Sequence, residues 1–253
     1  MTAILPLEWL EAMMLAAVRI TAFIVIAPPF SYNAFPARIK AMIGVGLALA
    51  VSPRVVEDYV PLDTAAYFGA LVLELVAGAA LGFLVMLLFA AIQAAGGLID
   101  LFGGFQLAQA FDPQSMVNGA QFTRLFHFAA LALLIASDGY QIVLGGVFRS
   151  FDALPLGAGL ALGPAAQEAT GGLTDMFLAA VQIAGPLLVV LFLADVGLGL
   201  LTRAAPALNA FAMGFPLKIM LTLALAGTVF VVLPAMVAAI VRSATESLRA
   251  VTG

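Results

Sequence analysis

Acidic side chains stranded in apolar sequence are the first residues here that could do chemistry. Glu74, Asp100, Asp112, Asp138, Asp152 and Asp195 lie within or beside apolar segments, and Arg19 does likewise. Carboxylates at membrane depth are the parts from which proton relays are built. These six show no ordered spacing that favours a relay over structural pairing. The one histidine, His127, has no second histidine or carboxylate at ligand spacing, so a packed or pore-facing side chain is expected there rather than a metal ligand. No GxxxxGK(S/T) phosphate loop, HExxH pair or GxSxG elbow occurs. The chain has no cysteine, which excludes disulfides, thiolate metal sites and a cysteine nucleophile. The expectation is a non-enzymatic protein without cofactor or metal.

The elements that hold these residues are apolar. The chain has 253 residues, 64% hydrophobic and 9% charged, with mean hydropathy +1.16, against roughly 45–50% apolar and 25% charged in soluble domains. Its solvent is therefore largely lipid or other protein. Net charge is −4 and the ten basic residues are scattered, so no nucleic-acid groove is expected. The start, MTAILPLEWLEAMM, has no Lys or Arg before Arg19 and no convincing cleavage site, so the first apolar stretch is expected to stay in the mature protein.

A helix that crosses a bilayer needs about 20 mostly apolar residues. Six segments are candidates: 10–30, 37–51, 66–95, 122–148, 173–202 and 217–241. The fold class is thus all-α, a polytopic membrane-type helical protein of about six hydrophobic helices, several broken or short. The second segment, about 15 residues ending before Pro53, is in the range of buried or re-entrant helices. The fourth is cut at Asp138-Gly139; the fifth holds Pro186 and Asp195, and the sixth Pro234. Arg19, Glu74 and Asp195 are intramembrane charges. Each would cost about 2.5–3.5 kcal/mol at mid-bilayer, so Arg19 and Glu74 are expected to face protein or water. Glu74, Gly78 and Gly82 share one helix face, which joins a carboxylate to positions where backbones can approach closely. The loops carry four cations on one side and five on the other by this count, so the count does not decide orientation: either partners hold it or a span is miscounted.

One stretch departs from the apolar pattern. Gly96–Phe122 is polar and glycine-rich, and Gly96, Gly97, Gly103 and Gly104 permit bends and close backbone approach. Asp112-Pro113 stops a helix. Gln106, Gln109, Gln114, Ser115 and Asn118 can hydrogen-bond to each other or to water, while Phe105, Phe111 and Met116 add apolar bulk. Irregular backbone at membrane depth is tolerated where it is buried by protein or lines a watery cavity. A segment of this kind could obstruct a channel and be displaced; an ordinary extramembrane loop has the same composition.

The ordered set GGLIDLFGGFQLAQAFDPQS, RSFDALPLG and DVGLGLLTRAAPALNAFAMGFPLK resembles the flagellar biosynthesis protein FliR family and its injectisome relatives. Arg19 followed by Pro28, then Phe35-Pro36-Ala37-Arg38 and Lys40, fits too, and the resemblance spans about residues 8–245 as one domain covering 1–253. It implies an export-gate subunit of a type III secretion system in the bacterial inner membrane, at the flagellar basal body. Expected partners are FliP-like and FliQ-like membrane subunits, cytoplasmic export proteins, membrane lipid, and unfolded protein substrates in transit. It also implies a pore plug at Gly103, Gly104, Phe105, Gln106, Gln109, Phe111, Asp112, Pro113, Met116 and Asn118. Arg203, Pro206, Asn209, Phe211, Gly214, Phe215, Pro216 and Lys218 then form a turn between the last two helices. Pro206 and Gly214-Phe215-Pro216 are expected to fix a hairpin tip, flanked by Arg203 and Lys218 at the two helix ends. That turn reads as a docking surface or as a charged interfacial anchor. A small-molecule secondary transporter is the other reading, but it predicts internal repeats and a compact polar site, and neither is visible.

Overall fold

The computed structural model describes residues 6–32, 35–57, 59–106, 121–205 and 210–252. Among these the regular structure is helical: α1 (Leu7–Ile26), α2 (Ala37–Glu57), α3 (Thr64–Phe102), α4 (Gln121–Ala136), α5 (Gly139–Ala153), α6 (Leu162–Ala204) and α7 (Ala210–Thr252). Five helices are long and apolar enough to cross a membrane, or up to six if α4 and α5 form one broken span. The protein is a polytopic all-α membrane protein.

Four helices run past a proline or glycine at which the sequence expectation bounded them, while α1 spans Leu7–Ile26 instead of 10–30 and α5 reaches Ala153 instead of 148. α2 runs on through Pro53 and reaches 21 residues, enough to span. Proline deprives the carbonyl four residues back of its donor; here the Ser52 hydroxyl donates to that Leu49 carbonyl at 2.9 Å instead. α3 continues through Gly96 and Gly97 to Phe102, so the irregular stretch is shorter than 96–122. α6 begins at Leu162, since Pro164 lies in its first turn, where a missing N–H leaves no bond unmade. α7 begins at Ala210 and carries Pro216 and Pro234 inside it. The break at Asp138 is as expected. Asp138 has φ +54 and ends the run between α4 and α5, a left-handed conformation that aspartate accepts more readily than most residues.

The chain forms two compact units, 1–88 with 137–172 and 240–253, and 89–136 with 173–239. In the first, α1 is the central helix: Ala12, Leu15, Ala16, Ile20, Phe23 and Ile24 are buried. Close packing against α3 depends on glycine. A Cβ on Gly78 would stand 2.1 Å from the Arg19 carbonyl oxygen, and one on Gly82 would stand 3.0 Å from the Phe23 carbonyl oxygen. The face shared by Glu74, Gly78 and Gly82 is thus the α1-facing side of α3. In the second unit the core is Ile92, Ala95 and Ile99 of α3, Phe126, Ala130 and Leu134 of α4, Ala184 and Leu191 of α6, and Leu233 and Val237 of α7.

Candidate functional site

In the first unit, Arg19 and Glu74 meet. Both are buried, at 0% and 1% side-chain exposure. Arg19 donates from Nε to Glu74 Oε2 at 2.5 Å and from Nη2 to Glu74 Oε1 at 3.0 Å. The remaining donors reach the segment that ends α5: Nη1 to the Ser150 carbonyl (3.1 Å) and hydroxyl (3.4 Å), and Nη2 to the Leu154 carbonyl (2.9 Å). Five N–H groups thus serve five acceptors, the full capacity of a guanidinium. The Gly157 N–H donates to Glu74 Oε1 at 2.9 Å, and the Phe151 ring lies 4.3 Å from the Arg19 Cζ, within cation–π range. Gly157 has φ +76, a conformation open to glycine and strained for most other residues. The sequence placed both charges against protein or water but did not pair them. The signal was there: opposite charges inside two apolar helices can both be kept from lipid by pairing.

The second unit holds the base of the 103–120 stretch. Gly104 (φ +85) follows the end of α3, and the Phe105 N–H returns to the Asp100 carbonyl at 3.0 Å, the bond that defines a Schellman stop. A Cβ on Gly104 would meet the Phe215 ring at 3.2 Å, and one on Gly103 would meet Thr222 Oγ1 at 2.8 Å. Phe105 packs edge-on against Phe122 (5.3 Å), Phe122 against Phe126 (6.1 Å) and Phe126 against Phe230 (5.6 Å). Phe105 is therefore an anchor at the base of the segment. Gln106 is exposed. Gln109, Phe111, Asp112, Pro113, Met116 and Asn118 lie outside the described residues.

The start of α4 is seated on the same turn of α3. A Cβ on Gly96 would lie 2.7 Å from the Phe122 carbonyl and from the Thr123 Cα, so glycine is needed there for close approach rather than for a bend. One turn on, the Asp100 carboxylate receives the Phe122 N–H on Oδ1, and the Thr123 N–H and hydroxyl on Oδ2, each at 2.9 Å. From sequence, Asp100 is one of six carboxylates open to a relay or to structural pairing, with no partner named. Its contribution is a contact across 22 residues that no local spacing announces.

The expected turn between the last helices is corrected in part. Arg203 is in the last turn of α6, where a cation suits the helix dipole. Gly214, Phe215, Pro216 and Lys218 are inside α7, so they form no hairpin tip; Pro216 sits early enough in the helix that losing one bond does not end it. Phe215 instead packs on Gly104, which joins two motifs that the sequence kept apart. Lys218 Nζ pairs with Asp195 Oδ1 at 2.6 Å. Pro206 and Asn209 lie outside the described residues, and so does the Phe211 side chain.

Comparison with known proteins completes the picture. The model of a family described as bacterial export proteins, family 1, matches residues 10–244. This chain belongs to that export family. Among its relatives is the flagellar biosynthetic protein FliR of Pectobacterium carotovorum subsp. carotovorum, 32% identical over 229 residues, 90% of this chain and 87% of that protein. The FliR of Escherichia coli (strain K12) is 30% identical over 213 residues, 84% of this chain and 82% of that protein. The surface presentation of antigens protein SpaR of Shigella flexneri is 29% identical over 153 residues, 59% of this chain and 58% of that protein. Both the Arg19 node and the base at Asp100 fall inside the matched range. Two stretches that carried the resemblance, RSFDALPLG and the FGGF of the polar segment, are the ones that wrap Arg19 and end α3 in this export-family chain.

Proposed function

We propose that this chain is a non-enzymatic export-gate subunit of a flagellar type III secretion apparatus. It sits in the bacterial inner membrane at the basal body, assembled with FliP-like and FliQ-like subunits, and unfolded flagellar proteins pass through the assembly. Energy comes from elsewhere, from proton motive force and a partner ATPase. The segment Gln106–Asn118 obstructs the closed pore, with Phe111 and Met116 as the bulk and the glycines at its base as the point from which it swings.

The observation that carries the multi-subunit reading is the length of exposed apolar surface on α6. It runs through Leu173, Phe177, Val181, Val189, Phe192, Val196, Leu200 and Leu201. At 1.5 Å per residue that span is about 42 Å, or about 39 Å along the normal at the average tilt of ~20°. The hydrocarbon core is only about 30 Å thick, so lipid alone does not cover it and protein must. The flagellar reading rests on relatives named FliR that cover most of this chain. An injectisome gate is the second reading, because SpaR matches across more than half of it.

Two measurements test this. Purification of the tagged protein in mild detergent from its host, with mass spectrometry of what is retained, should recover FliP-like and FliQ-like proteins in one stable complex. A homogeneous particle containing only this chain would overturn the assembly. Deleting Gln106–Asn118 should leave that complex intact and make it leak ions when closed; unchanged conductance would remove the plug.

A further inference from the structure

Asp100 is completely buried, and among the described residues no cation is paired with it. A buried carboxylate is costly unless donors converge on it, and among the described residues its donors are in the first turn of α4. A helix start is ordinarily capped by the residue just before it. In this chain that residue is Ala120, which has no side-chain acceptor. The cap comes instead from the last turn of α3, where the Asp100 carbonyl also receives the N–H groups of Phe105 (3.0 Å) and Gln106 (3.4 Å) as the chain departs. One residue thus grips the chain twice, by its main chain where it leaves α3 and by its side chain where it enters α4.

We infer that Asp100 is a positioning residue, a clamp that holds Phe105 and Gln106, where the chain leaves α3, and Phe122 and Thr123, where it enters α4, at one point. The inference deepens the gating reading and rests on it for its functional consequence. The clamp itself stands on the hydrogen bonds alone. Capping and clamping are separable. A local acceptor at residue 120 would cap α4 by satisfying its free N–H groups without tying it to α3. Gly96 sets the approach of the two helices but supplies no polar contact, and the Gln93–His127 hydrogen bond (2.9 Å) joins them farther from the connection, so Asp100 is the polar tie at the helix ends.

The test uses the intact complex, in which this chain contributes no native thiol. Spin labels at cysteines introduced for the exposed residues Leu101 and Leu125 report the distance between the two helix ends. Asp100→Ala combined with Ala120→Asp restores the cap but not the tie. The expected result is a folded complex with a broadened distance distribution and a closed-state ion leak approaching that of the Gln106–Asn118 deletion. Asp100→Asn, which keeps one acceptor oxygen, should fall between wild type and the double variant in both readouts. A double variant with the wild-type distance distribution shows that Asp100 only caps, and overturns the clamp. A broadened distribution without a leak, where the deletion does leak, overturns its positioning role. Should the deletion itself not leak, the gating reading fails and the distance distribution alone decides for or against the clamp.

Discussion

Arg19–Glu74 in the first unit and Lys218–Asp195 in the second are both ion pairs between apolar helices, yet they are finished differently. The first is closed: both side chains are buried, every guanidinium N–H is used, and the segment from Ser150 to Gly157 wraps it with two carbonyls, a hydroxyl, an N–H and the Phe151 ring. The second is open: Asp195 is 46% exposed and Lys218 17%. Around it α6 and α7 present Phe192, Leu193, Val196, Met220 and Leu223 outward. A charge left half open on an apolar face needs something else to cover it, because lipid at mid-depth penalises it by about 2.5–3.5 kcal/mol. The closed pair is internal architecture, whereas the open one lies on an exposed apolar face that the export-gate proposal assigns to another subunit.

Breaking the closed pair should have the largest effect. Glu74→Ala leaves the Arg19 charge buried with no counter-ion, and removing one partner of such a pair typically costs about 3–5 kcal/mol. Thermal unfolding of the purified chain should show that loss, and Arg19→Ala should show a similar one. Arg19→Met with Glu74→Leu should regain part of it by removing both charges, though the Ser150 and Leu154 carbonyls then lose their donor. A Glu74→Ala chain with wild-type unfolding would mean that water reaches the pair and that the contrast between the two regions is false.

How much of this was legible beforehand follows from what each feature depends on. Apolar runs of spanning length and the break at Asp138-Gly139 are local, and the sequence showed them. The Glu74–Gly78–Gly82 face was readable because helical spacing alone sets it. The pairings were not readable: Arg19 with Glu74 spans 55 residues, and Asp100 with Phe122 spans 22. The helix ends at Pro53, Pro164 and Pro216 were misplaced because proline marks a stop only when nothing compensates it. Ser52 compensates Pro53, Pro164 lies in the first turn of α6, and α7 continues through Pro216 at the loss of one bond. Of the candidate site, Gly104 turns the chain in a left-handed conformation and Gly103 is packed against Thr222, whereas Phe105 and Phe215 belong to packing that only the tertiary fold reveals.

The open pair should respond in the opposite sense to the closed one. Lys218→Ala is expected to change the unfolding of the isolated chain by only about 0–1 kcal/mol, as for exposed pairs generally. The same variant should lose co-purifying membrane subunits, because Asp195 is then presented to the interface with no cation beside it. Comparing retained subunits by quantitative mass spectrometry with unfolding of the chain alone separates the two effects. Full partner retention together with a large drop in unfolding temperature would make this pair architectural too.

The smallest effect lies at the margin of the closed region. The Tyr59 hydroxyl, in the connection after α2, donates to Glu11 Oε2 of α1 at 3.2 Å. Burial, and then the hydrogen bond and charge of Glu11, push its pKa up to about 12, against about 10 in an unfolded chain. A group whose pKa is raised by folding adds stability that is whole below its unfolded value and disappears as pH climbs through its folded one. Tyr59 should therefore contribute unchanged at neutral pH and lose its contribution between about pH 10 and 12. Tyr59→Phe should flatten the stability difference from wild type across that alkaline window while shifting unfolding only slightly at pH 7. If wild type and variant instead run parallel through the window, the contact is not formed in solution, and the tight construction around Arg19 stops short of the segment that joins α2 to α3.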